Sequence, residues 1–294
     1  MANLVSNIKR YFRGYLDRVL WSNEIRKIDH YSRSLNIINN DPKFLNLKSQ
    51  GYYIDKNFLP EDLRKDLLFN YINSKEYFTR SHLKLFEFIK NHYLKVITSY
   101  LGGEVVICNY TYIESKGENI ISGDWHTDNV GHKLNLMFCL EGYGNCPTFY
   151  IAKSHKKKYF PSLREQLREF KYDNSKQKDL PESIRIDYFS NDVAMFDGNG
   201  LHRGAYEKSS ENKRRLNIVI DFVRIEKIYN LGFRKEPSML FLKSKKNPYR
   251  QKSIEDLKRQ MKKIDKDIIK NFMNFSFFRE EFITKEGPNY YYPW

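Results

Sequence analysis

The sequence predicts an α+β protein: a run of antiparallel strands forming a sandwich or barrel, with helical segments before and after it. Two observations predict it. Between Glu104 and Phe222, short β-branched and aromatic stretches follow one another with Gly, Asn and Asp between them. No helices alternate with them, which argues against a parallel α/β sheet. Before Gly102-Gly103 and after Ile225, apolar residues recur at helical spacing instead.

The elements follow in order. Leu4, Ile8, Tyr11, Tyr15 and Val19 form a helical stripe among Lys9, Arg10, Arg13 and Arg18. Such a helix either packs on the body of the protein or lies on an anionic membrane surface. A short strand at Gly51–Leu59 runs into Pro60-Glu61-Asp62, where proline and acids open a helix. Leu85, Phe88, Ile89, Tyr93 and Val96 continue a helical stripe up to the glycine pair. The strands are then Glu104–Ile113, Lys133–Leu140, Pro147–Ala152, Ile184–Phe189, Asp192–Phe196 and Arg214–Phe222. An insert at 160–179 places Leu163, Leu167 and Phe170 at helical spacing. Ser253–Phe278 is a charged helix with Leu257, Met261, Ile264, Ile268 and Phe272 on one face, and the aromatic end Tyr290–Trp294 is expected to dock on the body. The whole is expected to be one domain, 1–294. It divides into a mainly helical N-terminal segment (1–103), a β core (104–224) and a C-terminal helical extension (225–294).

Among 294 residues, 51 Lys and Arg face 36 Asp and Glu, a formal net charge of +15. That balance fits an anionic partner or simply a lysine- and asparagine-rich composition. No apolar run reaches the roughly 18 residues of a membrane span, and charges interrupt the N-terminus where a signal peptide needs an apolar core. Cys108, Cys139 and Cys146 form no metal-type pair. A reducing, cytoplasmic setting is expected, with peripheral membrane contact through the N-terminal helix as its variant.

The chemistry centres on two histidines. In Asp124-Trp125-His126-Thr127-Asp128, His126 and Asp128 sit two apart, so on a strand both face one way. His202 follows the acidic turn Phe196-Asp197-Gly198. Two histidines and one carboxylate on one face of a metal leave open positions suited to non-haem Fe(II) oxygen chemistry. Arg214 and Arg215 then open an apolar strand, where a guanidinium needs an anion and matches a carboxylate in a two-pronged contact. This suggests a dicarboxylate co-substrate. Strand parity divides the choices. If Arg215 faces inward, so do Asn217, Val219 and Asp221; if Arg214 does, Leu216, Ile218, Ile220 and Phe222 follow it.

With these motifs the chain resembles the Fe(II)- and 2-oxoglutarate-dependent dioxygenases, within them the phytanoyl-CoA dioxygenase-like group. The resemblance runs from the GYYIDKNFLPEDL entry at Gly51 to Phe222. It includes His126 and Asp128, then the strand Asn145–Lys156, which is similar to the group's strand into a Gly-Ser-His-Lys turn, and finally His202 and the Arg215 strand. Lys153 stands where that turn usually has glycine. The resemblance implies a double-stranded β-helix (jelly-roll, cupin-like) core. It implies iron on His126, Asp128 and His202. It implies 2-oxoglutarate held by Arg215, in preference to Arg214, beside an inward Asn217, with a further contact from Lys133, Asn135 or Met137.

The implied reaction consumes O2 and 2-oxoglutarate, releases succinate and CO2, and hydroxylates an unactivated C–H bond. Related halogenases have a small residue where Asp128 stands; a carboxylate there implies hydroxylation, or desaturation or epimerisation. Arg164, Arg168 and Lys171 lie in the 160–179 insert, where this group builds a lid, and Lys156, Lys157 and Lys158 lie just before it; the charges either meet an anionic substrate or form a solvated face. An anionic or lipid-linked glycan is therefore the first expected substrate, with a small amino acid or natural product next. The alternatives are a catalytically inactive binding module on the same barrel and a nucleic-acid demethylase. For the latter, no stretch combines stacking aromatics with a basic groove.

Overall fold

The computed structural model describes residues 39–74, 78–116, 133–156, 183–205, 213–225 and 266–278. The N-terminal stripe to Val19, the 160–179 insert, residues 253–265 of the charged helix and the aromatic end lie outside the described residues.

Helix α1 (Pro42–Gln50) starts at Asp41, whose carboxylate accepts from Lys43 N at 2.8 Å, with proline at the first helical position. It ends at Gly51, which takes φ +92 and donates back to Leu47 O. A Cβ at Gly51 would also collide with the Tyr150 hydroxyl and the His155 ring, so glycine is needed twice over. Strand β1 (Tyr52–Asp55) and helix α2 (Glu61–Asn73, opening at Pro60) follow as the sequence predicts.

The stripe from Leu85 to Val96 breaks at Tyr93 into α3 (Arg80–His92) and α4 (Leu94–Leu101). No glycine or proline marks that break. It buries Leu85, Phe86, Ile89, Tyr93 and Val96 and leaves Phe88 half-buried.

The strands are β2 (Val105–Lys116), β3 (Leu134–Glu141), β4 (Thr148–Ile151), β5 (Ser183–Ile186), β6 (Val193–Asp197), β7 (His202–Gly204) and β8 (Arg214–Arg224). They form a five-stranded sheet, β1-β6-β3-β8-β2, and a three-stranded sheet, β5-β4-β7. Every pairing between them is antiparallel. Strand β7, only three residues long, was not separable from its turn by pattern.

Alternation along the strands separates two cores. Leu134, Leu136, Phe138 and Leu140 of β3 and Leu216, Ile218, Ile220 and Phe222 of β8 pack with the helices. Met137, Cys139 and Val219 turn the other way, meeting Tyr150, Ile186, Tyr188, Ala194 and Phe196 between the sheets. Helix α5 (Lys266–Met273) closes the helical side, burying Phe272 and half-burying Ile268. At the Ser-His-Lys turn, Lys153 adopts φ +66. The backbone thus keeps the left-handed conformation that glycine takes freely, at a cost to lysine of about 1–2 kcal/mol. Among the described residues no helix is long and apolar enough to cross a membrane.

One buried histidine belongs to the frame. His82 on α3 pairs through Nδ1 with Thr79 Oγ1 at 2.8 Å and through Nε2 with the Tyr112 hydroxyl at 2.7 Å. Burial pushes its pKa from 6.5 down to about 3, so the folded chain holds it neutral. The unfolded chain takes up this proton below pH 6.5. The stability that His82 contributes is therefore complete above pH 6.5 and lost as pH falls toward 3, by up to about 1.4 kcal/mol per pH unit. Urea unfolding across that range should show this slope, and His82→Gln should flatten it. An equally steep profile in the variant would assign the acid sensitivity elsewhere.

Candidate active site

Strand β8 enters the space between the sheets with one side chain in two. Arg215 and Asn217 lie on the Val219 side, and Leu216 and Ile218 on the helical side. Arg215 is buried: its Nη1 donates to the Cys146 carbonyl and its Nη2 to Ser115 Oγ at 3.3 Å. The guanidinium lies 4.9 Å from the centre of the Tyr188 ring. Among the described residues no carboxylate pairs with it, and its Nε has no hydrogen-bond partner. Beside it, Asn217 is fully buried with neither amide atom partnered. Buried polar atoms are ordinarily satisfied, and leaving one unsatisfied costs about 1–3 kcal/mol. A bound group with anionic oxygens could satisfy these donors.

Arg214 sits on the other side of the strand. Its Nε is 2.8 Å from Glu141 and its Nη1 3.8 Å from Glu114, so its charge is already balanced. Tyr188 and Thr148 also border the Arg215 site, with the Tyr188 hydroxyl donating to Thr148 Oγ1 at 3.2 Å. Burial raises the Tyr188 pKa against the pull of Arg215, so the phenol stays a donor. Cys139, cross-strand from Asn217, is likewise pushed up to about 12 by burial and remains a thiol. Sequence reasoning missed Tyr188 and Thr148. Tyr188 reaches in from the segment after β5 with no motif around it, and Thr148 was one alternating residue among many.

At the next level of β4, Tyr150 pairs with His202 of β7. His202 is buried, with its ring nearly parallel to Tyr150 (17°, 6.4 Å between centroids) and edge-on to Phe196 at 5.1 Å. Its Nδ1 meets the Gly200 carbonyl at 2.8 Å. A carbonyl only accepts, so Nδ1 carries the proton of that hydrogen bond. Thr148 and Tyr150 are two residues apart on one face, which sets the Arg215 and His202 levels about 7 Å apart along the strand.

On β3, Asn135 stands cross-strand from Asp221 and Phe196 on the inner face. Met137 Sδ lies 3.7 Å from the Tyr188 hydroxyl, and Lys133 forms a buried pair with Asp221 at 3.1 Å. The cation at the His202 end is therefore paired, in contrast with Arg215. His126 and Asp128 lie outside the described residues. Among the described residues, no three metal-binding side chains converge. Asp197 does not touch the His202 ring nitrogen that Gly200 holds; it accepts from Asn199 N at 2.9 Å and organises the turn.

No protein-family model and no curated protein sequence matches the chain. Its fold is similar to that of HygX from Streptomyces hygroscopicus. Apo HygX superposes with a TM-score of 0.53 at 11% identity, over 63% of this chain and 87% of HygX. HygX with nickel and 2-oxoglutarate bound gives 0.52 at 11% identity, over 64% of this chain and 88% of HygX. At this identity the two share a fold, and the site has to be argued from its own residues.

Proposed function

We propose that the chain is a non-haem Fe(II)- and 2-oxoglutarate-dependent oxygenase on a double-stranded β-helix core. The substrate would be a small molecule, a glycan or a lipid-linked molecule, hydroxylated at an unactivated C–H bond. The carrying observation is the buried Arg215 without a carboxylate partner among the described residues, next to Asn217 with both amide atoms unpartnered. The likeness to HygX, which holds nickel and 2-oxoglutarate in one of its structures, supports the reading.

The described residues suit the co-substrate, and His202 suits one place in a metal site. Arg215 supplies a planar pair of donors for the far carboxylate of 2-oxoglutarate, Asn217 a further donor, and Tyr188 and Thr148 hydroxyls beside it. His202, with Nδ1 donating to the Gly200 carbonyl, would ligate metal through Nε2; His126 and Asp128 would complete the set. Iron and 2-oxoglutarate, when bound, supply oxidation of the C–H bond coupled to release of succinate and CO2, with O2 consumed. The chain's share is placement. Arg215 fixes one end of the co-substrate, the inner core excludes water, and Lys133 with Asp221 keeps the His202 end close to neutral. The basic residues from Lys156 through Lys171 support an anionic or lipid-linked glycan as substrate.

Anaerobic Fe(II) with 2-oxoglutarate should give a weak visible charge-transfer band that His126→Ala abolishes. A native chain that gives no band would overturn the reading.

A further inference from the structure

We propose that Tyr100 and Asp197 are positioning residues for His202, so that the helical layer 39–101 sets the geometry of the metal site. The inference rests on the iron-site reading above. Asp197 ends β6 fully buried. Its Oδ1 accepts from Asn199 N at 2.9 Å and Asn199 Nδ2 at 3.0 Å, which is ordinary turn chemistry.

Three further contacts are not. The Tyr100 hydroxyl, on α4 in the other layer, donates to Asp197 Oδ2 at 2.8 Å. The Asp197 amide donates to Gly51 O, at the end of α1, at 2.8 Å. The Tyr150 hydroxyl donates to the Asp197 carbonyl at 3.3 Å, and that carbonyl also accepts from Gly200 N at 2.9 Å. The turn therefore cannot shift without breaking bonds to α1, α4 and β4.

What the turn delivers is one atom, the Gly200 carbonyl oxygen that accepts from His202 Nδ1. Ser154 Oγ accepts from Leu201 N at 2.8 Å and fixes the next residue. Gly200 itself has no room for a side chain, because a Cβ would collide with the Tyr150 hydroxyl. The chain of constraint runs from Tyr100 through Asp197 and Gly200 to the imidazole. Its energetic logic is that of a partner behind a metal-bound histidine: it holds ring orientation and tautomer, and its loss typically weakens metal binding by about 10–100-fold.

The test is anaerobic titration of the metal-free full chain with Co(II), read by d–d absorption and chelator competition. Tyr100→Phe removes one hydroxyl and keeps the ring in its edge contact with Phe44. It should weaken Co(II) binding about 10–100-fold, and Asp197→Asn should act in the same direction. Tyr93→Phe is the control. It deletes an equivalent phenol–carboxylate bond, to Asp55 at 2.8 Å, in the same helical layer but with no link to His202. Its Co(II) affinity should stay native although its unfolding midpoint drops. Native affinity in Tyr100→Phe, or an equal loss in Tyr93→Phe, would overturn the proposal. A native chain that binds no Co(II) at all would instead overturn the iron-site reading itself, and the positioning role with it.

Discussion

Replacing Arg215 with methionine should weaken 2-oxoglutarate binding by roughly thirtyfold to several thousandfold, as read by anaerobic calorimetric titration of the Fe(II)-loaded chain. The range follows from the about 2–5 kcal/mol lost when one partner of a buried, hydrogen-bonded charge pair is removed. The upper end of it is expected, because Arg215 is buried and no described carboxylate shares its charge. Methionine fills similar volume, so the frame should survive. Arg214→Gln is the matched comparison. Its guanidinium is one quarter exposed and paired with Glu141 and Glu114, so its loss should cost at most about 1 kcal/mol of stability and leave the titration unchanged. The reverse ranking would move the co-substrate to the wrong side of β8 and sink the assignment.

Phe272→Ala should destabilise the fold by about 3–5 kcal/mol, a large share of the roughly 5–15 kcal/mol by which domains are stable. Phe272 is fully buried on α5, with edge contacts to Phe86 at 5.1 Å and Phe78 at 5.3 Å. Phe275, Phe277 and Phe278 surround Phe86 as well, and Ile107 N donates to Phe277 O at 2.9 Å. The segment thus finishes the helical side of the core and caps the start of β2. Urea unfolding should show a lower midpoint with little change in slope. Met273→Ala, at an exposed neighbour, should stay within about 0.5 kcal/mol. A Phe272→Ala cost as small as that would mean the segment lies outside the core.

The strands were legible because β-branched and aromatic residues fit a pleated surface, and β3 and β8 send alternate residues into the two cores. Less was legible where packing decides. The break at Tyr93 has no local signal; two helices fit over the sheet where the apolar stripe suggested one. His82 sits in no motif, and its burial depends on Tyr112 of β2 as well as on Thr79 at the start of its own helix. Lys153 shows that a residue type need not dictate its backbone: surrounding contacts hold a lysine at φ +66.

The sequence by itself determined the order of the strands apart from β7, the helical character of the segment before them, the parity of β8 and the residue types from which a metal and carboxylate site would be built. These are properties of spacing, which the period of a strand converts directly into faces. Only the tertiary structure decided which face of β8 meets the space between the sheets, that Arg214 is balanced by Glu141 and Glu114 while Arg215 is not, and that Tyr188 lies against Arg215 and Tyr100 bonds Asp197 from distant segments. The reason is physical: whether a buried charge or amide is satisfied depends on partners far away in sequence, and no local pattern encodes them.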